Sequence, residues 1–163
     1  MLPAVRRTYA PKGQTPYLRA PLNYGGLSCI SAITEKGQLV TQTIEGSFNG
    51  VKVVRFLRHL LRQVKGSVML IWDGASIHRC EEVKTFLREE AAWRLRLEIL
   101  PAGAPEFNPD EGVWGWLKGQ MANICCFNLK DLKSLLRRKI RALRYRKDII
   151  LSFISRSGLM ADL

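Results

Sequence analysis

The sequence predicts an α/β fold, with a sheet of mixed strand direction flanked by helices. Three observations support this prediction: an early hairpin pattern, a continuously apolar run between two helical segments, and a second short strand followed by further helices. Alternating helices and strands are typical of α/β domains. At 163 residues, of which 47% are hydrophobic, the chain is long enough for one domain with a sizeable core.

The first predicted elements are the two strands of a hairpin. They are the β-prone runs LSCISAIT (27–34) and QLVTQTIE (38–45), which flank a short gap that contains Gly37. Such a gap between two β-prone runs is typical of a hairpin. The preceding residues, 1–26, are rich in Pro, Gly and Arg and show no stable period, so we expect irregular structure there.

The central predicted elements are a helix and a buried strand. Ser47 or Asn49 caps the helix, whose apolar residues recur at helical spacing until Gly66 ends it. The next element is the continuously apolar run SVMLIW (67–72), which stops at Asp73. Because helices flank this run on both sides, we predict a parallel strand that is buried on both faces.

Further helices and one strand complete the prediction. A helix over residues 80–91 precedes an alternating strand over 95–100. Asn108 then stands where a helix cap is expected, and the Pro and two acids that follow favour a helix start. Asn128 caps the last helical region, residues 129–155, which combines an apolar stripe with a basic face.

The charge of the chain indicates an anionic partner. Its 26 Lys and Arg residues outnumber its 14 Asp and Glu residues, which gives a net charge of +12. Nine of the basic residues and one acid, Asp131, lie between Lys130 and Lys147. Such a cluster attracts polyanions through released counterions, so nucleic acid is the leading partner class. The alternative is a merely well-solvated basic surface.

The sequence argues against membrane, secreted and zinc-binding classes. The apolar runs are far shorter than a membrane span, and the first residues lack the apolar region of a secretory signal. We therefore expect a cytoplasmic protein with no membrane partner. Its four cysteines and two histidines show no CxxC pair or other workable zinc spacing, so we expect reduced and mostly buried thiols.

Two carboxylates are the main candidates for chemistry. Asp73 ends the buried strand, where open α/β sheets place reactive groups, although an Asp before Gly also makes turns. Glu111 opens the helix after Asn108, although it also stands where a capping-box acid reaches back to the cap amide. Together the two acids could share a site for divalent cations, as in phosphodiester chemistry with metal ions about 4 Å apart.

Residues near these acids leave alternatives open. Asp110 suits either a metal-binding or a capping role. His78, five residues after Asp73, either orients substrate or water near the site or packs at the start of the following helix. Ser76 and His78 could also suggest nucleophilic hydrolysis, but the sequence has no G-x-S-x-G elbow and no phosphate-binding Gly-rich loop.

Three stretches together resemble a known family. The second and third catalytic blocks of DDE transposases of the mariner superfamily, in their bacterial insertion-sequence branch, are similar to LIWDGASIHR (70–79) and ILPAGAPEFNPDEGVWGWLK (99–118). The segment that follows the first catalytic block in that family is similar to RRTYAPKGQTPYLR (6–19). The resemblance spans nearly the whole chain.

The resemblance implies an RNase H-like fold, a Mg²⁺ (or Mn²⁺) cofactor and DNA as the partner. Family members use three acids and two metal ions to cleave DNA with water and then to join the freed 3′-hydroxyl to target DNA. Carried over by motif, Asp73 is the second acid and Glu111 the third, both catalytic and metal-binding, with 37 residues between them. The expected DNA-binding residues are His78, Lys118, Arg137, Arg138 and Arg141.

The chain departs from the family pattern before Asp73. It contains no Asp upstream of that position, whereas the family carries its first acid on the first, central strand, after an N-terminal helix-turn-helix region. We therefore expect one RNase H-like domain over residues 1–163 that is incomplete at its N terminus, lacks the central strand, and is poorly stable and inactive alone. The alternative is a non-catalytic basic DNA-binding remnant or a regulator of full-length transposase, as a homodimer or with that enzyme.

Overall fold

The computed structural model describes residues 5–17 and 25–159. Within these ranges the chain forms strands and α-helices in mixed order, so the predicted α/β class is confirmed. In chain order they are β1 (Leu27–Ile33), β2 (Leu39–Glu45), α1 (Gly50–Gln63), β3 (Val68–Trp72), α2 (Glu81–Glu89), β4 (Leu95–Ile99), α3 (Asp110–Gln120), α4 (Leu129–Arg144) and α5 (Lys147–Ser157). Short 3₁₀ turns lie at Ser76–Arg79, before α2, and at Pro105–Phe107, before α3.

The strands form two small sheets within the described residues. β1 and β2 are antiparallel, with Leu27 opposite Glu45, so the predicted hairpin is confirmed. β3 and β4 are parallel, with Val68 opposite Leu95. Both strand directions therefore occur, as predicted. No described strand joins β1 to β3, so each of these two strands has one open edge.

Local sequence sets the starts of two long helices. The side chain of Asn49 accepts a hydrogen bond from the Lys52 amide at 3.0 Å, and that of Asn128 accepts one from the Asp131 amide at 2.8 Å. Each bond satisfies an amide that the first helical turn leaves unpaired. Of the two cap residues considered for α1, Asn49 is therefore the cap, and the predicted cap of α4 is confirmed.

Helix α1 packs against both sheets. Its residues Val53 and Leu57 belong to a buried cluster with β3, β4 and α2, whereas Phe56 and Leu60 pack against β1 and β2. Leu70 of β3 contacts both groups. The other face of the hairpin packs against α3, α4 and α5. Its buried cluster consists of Leu39, Val113, Leu117, Leu136, Ile140, Leu143 and Ile150.

One face of β3 is not buried, which corrects the prediction that both faces are. Met69 is 63% exposed and Ile71 is 40% exposed, whereas Leu70 between them packs against α1. Successive side chains of a strand point to opposite faces, and α1 with α2 covers only one of them. No element in the described ranges covers the other face.

Peripheral features agree in part with the sequence predictions. Residues 5–17 contain no helix or strand, as expected, while residues 18–24 lie outside the described ranges. The Arg6 backbone exchanges two hydrogen bonds with the Asn123 side chain. All four cysteines are free, but only Cys126 is fully buried, so the burial of the thiols is less complete than expected. No helix in residues 5–17 and 25–159 is both long enough and apolar enough to cross a membrane.

Candidate active site

Asp73 lies directly after β3, at the carboxyl end of the parallel strand pair. The backbone hydrogen bonding between the two strands continues to the last residue of β3, because the Leu100 amide, just after β4, donates to the Trp72 carbonyl at 2.9 Å. The Asp73 Oδ1 atom accepts a hydrogen bond from the Ala75 amide at 3.1 Å, which forms the turn that an Asp before Gly favours. The side chain is nevertheless 57% exposed. Making the turn therefore leaves this carboxylate accessible to a ligand.

His78 packs against the Asp73 turn. Its ring is stacked on Trp72, with 4.3 Å between ring centroids and an interplanar angle of 4°. Its Nδ1 atom lies 3.0 Å from Oδ1 of Asp73, and the imidazole is only 15% exposed. The hydrogen-bonding contact of Nδ1 is to the backbone carbonyl oxygen of Asp73, at 3.3 Å. His78 therefore packs against the Asp73 turn, in agreement with the packing alternative considered for it.

Glu111 lies in the first turn of α3, one residue after the helix begins at Asp110. Its amide donates to the Asn108 carbonyl at 3.1 Å, but its exposed side chain bonds no described residue. The Asn108 side chain instead accepts from the Asp110 amide at 3.1 Å. The capping-box alternative for the Glu111 carboxylate is therefore not formed, and this side chain is free to bind a ligand.

Asp110 connects α3 to the hairpin. The Ser31 hydroxyl of β1 donates to its carboxylate, with Oγ 2.7 Å from Oδ2 and 2.9 Å from Oδ1. Burial raises the pKa of Asp110 from 3.8 to about 6, while bonds from the Ser31 and Trp114 side chains oppose the rise. The charges of Glu111 and Asp73 raise the pKa further, so all three carboxyl groups share one electrostatic neighbourhood. The sequence did not reveal this role for Ser31.

The donor chemistry of this neighbourhood fits a hard divalent cation. Carboxylate oxygens are the ligands that Mg²⁺ prefers, and Mg²⁺ is usually held by one or two carboxylates together with water or substrate oxygens. Asp73 and Glu111, which are both exposed, meet that requirement. Within the described ranges, however, no group of three or more His, Cys, Asp or Glu residues could hold a metal ion. Asp73 and Glu111 are therefore candidate ligands.

The residues predicted to bind DNA lie on three elements. Lys118 is exposed on α3, and the arginines at 137, 138 and 141 are exposed on α4. Arg137 and Arg141 line a cleft between α4 and β2, which Arg138 does not. His78 differs from all of these, because it is largely buried against Trp72 and Asp73.

The fold and the two exposed acids define an α/β domain of the kind that carries an acidic active site. The chain belongs to the DDE superfamily endonucleases, a family that matches residues 3–135. Membership implies the use of a divalent metal ion, in agreement with the donor chemistry of Asp73 and Glu111. A comparison with curated protein sequences found no match.

Solved structures with a similar fold come from Mos1 transposase. The Mos1 strand transfer complex has a TM-score of 0.60 and 16% identity, over 92% of this chain and 50% of that chain. The Mos1 paired-end complex with the left transposon end has a TM-score of 0.61 and 15% identity, over 96% and 52%. The Mos1 mariner paired-end complex with Mn has a TM-score of 0.59 and 14% identity, over 98% and 53%.

The similarity to Mos1 confirms the predicted RNase H-like fold class. Identities of 14% to 16% establish the fold, and the activity of the matched proteins does not follow from it. The chain spans about half the length of the transposase chains that it matches.

Proposed function

We propose that this chain is the catalytic domain of a DNA transposase of the mariner superfamily, in the bacterial insertion-sequence branch, and that it serves DNA cleavage and strand transfer. The observation that supports this proposal most directly is the pair of exposed acids, Asp73 directly after the parallel strand β3 and Glu111 in the first turn of α3. The Ser31–Asp110 hydrogen bond anchors the start of α3 to the hairpin, which packs against α1 as β3 does. Membership in the DDE superfamily endonucleases associates such acids with DNA cleavage.

Asp73 and Glu111 are the proposed metal ligands and catalytic residues, with Mg²⁺ or Mn²⁺ as the cofactor. A pair of such ions, when bound, would activate the attacking oxygen and stabilise the leaving oxygen. The chain's own residues position the ligands: the Ala75 amide bonds the Asp73 carboxylate, His78 packs against the turn that carries it, and α3 presents Glu111. The residues proposed to contact DNA, at the element ends and the target, are His78, Lys118, Arg137, Arg138 and Arg141.

The remaining acid of the family pattern is proposed to lie on a strand that pairs with both β1 and β3. These two strands have open edges and pack against the same helix, α1. The Ser31–Asp110 bond joins β1 to the start of α3. Asp110 in turn lies close enough to Asp73, which follows β3, for their charges to interact. A strand between them would satisfy the unpaired backbone groups and would end beside Asp73.

The isolated chain is proposed to be inactive, because no Asp precedes Asp73 in its sequence. On this proposal residues 1–163 are one catalytic domain that needs a further acid, and the basic helices over residues 129–155 belong to it. Two ligands do not fix two metal ions, so the geometry for phosphodiester attack is incomplete without that acid.

Metal binding and DNA cleavage together test the proposal. Mn²⁺ binding to the purified chain is measured by electron paramagnetic resonance. We expect Asp73→Asn and Glu111→Gln each to weaken it by about 10-fold or more. The matched control is Glu106→Gln, an exposed acid before α3, which leaves Mn²⁺ affinity unchanged. Unchanged affinity in both site variants would overturn the proposed metal site, and Mg²⁺-dependent nicking of plasmid DNA by the chain alone would overturn its proposed inactivity.

A second candidate function is a non-catalytic DNA-binding protein, either a remnant or a regulator of full-length transposase, acting as a homodimer or with that enzyme. The absence of a three-residue metal group within the described ranges favours it. This candidate predicts that the wild-type chain binds DNA but not Mn²⁺. Mn²⁺ binding that depends on Asp73 and Glu111 would exclude it. Both functions place the chain in the bacterial cytoplasm, at the nucleoid.

A further inference from the structure

A cleft of about 570 Å³ lies between β2 and α4. We propose that it binds phosphates of the DNA backbone and holds a DNA strand beside the catalytic carboxylates. This inference deepens the proposed function and rests on its DNA substrate. The lining residues combine cationic and hydroxyl groups with one apolar side chain. They are Thr41, Thr43, Arg137, Ile140, Arg141, Arg144 and Tyr145.

The periodicities of the two elements bring these groups together. Thr41 and Thr43 are two residues apart on β2, so both point to the same face of the hairpin. Arg137 and Arg141 are four residues apart on α4, which places both on one face of the helix. Ile140 beneath them is buried in the core and fixes the helix against the hairpin. The cleft is therefore built on two rigid elements.

The cationic side chains near the two ends of the cleft already have partners, whereas those in its middle do not. At one end Lys133 pairs with Glu45 at 2.7 Å. At the other end the Arg144 guanidinium donates to the Thr41 hydroxyl at 2.8 Å. Between them, Arg137 and Arg141 form no ion pair or side-chain hydrogen bond with any residue in the described ranges, and no lining residue is acidic. The centre of the cleft therefore carries uncompensated positive charge.

This arrangement matches the chemistry of a phosphate chain. The planar guanidinium group suits two parallel hydrogen bonds to phosphate oxygens, and a threonine hydroxyl can donate a further bond. Four residues along α4 span about 6 Å, close to two nucleotide steps at about 3.4 Å each along a DNA strand. Phosphates two steps apart on one strand can thus each reach one of the two arginines.

The register of the hairpin connects the cleft to the acids. Thr41 lies directly opposite Ser31, and directly opposed residues of an antiparallel pair point to the same face. Ser31 in turn donates to Asp110, which precedes Glu111. The cleft and the Asp110 carboxylate therefore lie on one face of the hairpin, one strand apart, at a spacing of about 5 Å between strands. A DNA strand in the cleft would pass beside Glu111.

Salt-dependent DNA binding tests the cleft. The affinity of the full chain for a labelled DNA duplex is measured by fluorescence anisotropy over a series of NaCl concentrations. We expect Arg137→Gln and Arg141→Gln each to weaken binding about 3- to 10-fold and to lower the slope of log affinity against log salt by about 1. The control is Arg156→Gln, which removes the same charge from an exposed position on α5 outside the cleft.

The outcomes separate a cleft from a diffuse charge effect. Larger losses in Arg137→Gln and Arg141→Gln than in Arg156→Gln support the proposal, provided that circular dichroism shows all three folded. Equal losses in all three variants would overturn it, because charge alone would then account for binding. Inorganic phosphate is titrated at matched ionic strength; we expect it to displace DNA less effectively from Arg137→Gln than from wild type, and equal displacement from the two proteins would count against the cleft as the phosphate site.

Failure of the cleft and failure of the proposed catalytic function give different results. Glu111→Gln is measured in the same DNA-binding assay and in the Mn²⁺ assay. Loss of Mn²⁺ binding in that variant, together with equal DNA affinities for all arginine variants, would support the proposed metal site and contradict the proposed cleft. The reverse pattern would support the cleft and contradict the metal site.

Discussion

The Ser31 hydroxyl of β1 donates to the Asp110 carboxylate at the start of α3, across a sequence separation of 79 residues. This bond fixes the first turn of α3 against the hairpin and so determines the position from which the Glu111 side chain projects. Asp110 therefore acts through position, while Glu111 remains available for ligands. Position at a helix start alone could not distinguish these roles, because the two acids are adjacent and both suit a helix start.

Ser31→Ala is expected to destabilise the fold by about 1 to 3 kcal/mol, because it removes one of the donors to a largely buried carboxyl group. The free energy of unfolding is measured by urea denaturation. Ser28→Ala is the matched control, since Ser28 lies on the same strand and its hydroxyl makes no hydrogen bond among the described residues. Equal effects of the two substitutions would show that the Asp110 bond contributes nothing.

The pH dependence of stability should report on Asp110. Its pKa is raised to about 6 in the folded protein, so between pH 4 and 6 the folded chain binds more protons at this site than the unfolded chain does. The stabilisation that protonation provides is present at low pH and is lost as the pH rises through this range. Burial is the main cause; Ser31 and Trp114 oppose it, and the charges of Glu111 and Asp73 add to it.

Asp110→Asn should remove that pH-dependent loss. In metal-free buffer, we expect the free energy of unfolding of the variant to rise relative to wild type from pH 4 to pH 7. The difference should reach on the order of 2 kcal/mol, because each unit of pKa shift corresponds to about 1.4 kcal/mol. Parallel pH profiles for the two proteins would contradict the raised pKa.

His78→Phe should separate the packing role of His78 from its contact with Asp73. Phenylalanine retains an aromatic ring to stack on Trp72 but cannot make the polar contacts of Nδ1 with Asp73. We therefore expect thermal stability close to that of wild type and Mn²⁺ affinity lower by about 10-fold, which is typical when a residue that orients a ligand is lost. His78→Ala, which removes both interactions, should lower stability as well. Wild-type Mn²⁺ affinity in His78→Phe would leave His78 with a packing role alone.

Substitutions at two glycines of α3, Gly112 and Gly115, form a matched pair that tests how α3 packs against α5. A Cβ atom at Gly112 would lie 2.5 Å from Cγ of Phe153, so Gly112→Ala should destabilise the fold by about 1 to 3 kcal/mol. A Cβ atom at Gly115 would meet no atom within 4 Å. Gly115→Ala should therefore stabilise the helix by about 0.5 to 1 kcal/mol. Thermal unfolding of both variants checks this, and a loss of stability in Gly115→Ala would contradict the packing of α3.

The sequence by itself determined the local elements. The hairpin, the parallel strand before Asp73 and the cap at Asn128 were predictable, and the cap of α1 was narrowed to Ser47 or Asn49, because each depends on spacing, turn residues or a side chain that reaches its own helix. The positions of Asp73 and Glu111, at a strand end and a helix start, were predictable for the same reason.

Only the tertiary structure decided how distant residues meet. The Ser31–Asp110 bond and the cleft between β2 and α4 join elements separated by many tens of residues, and no local pattern marks such partners. The exposed face of β3 has the same cause, since an apolar run shows that a strand can be buried but not which of its faces is covered. Local chemistry therefore set the elements and the candidate acids, while long-range packing set the surroundings in which those acids act.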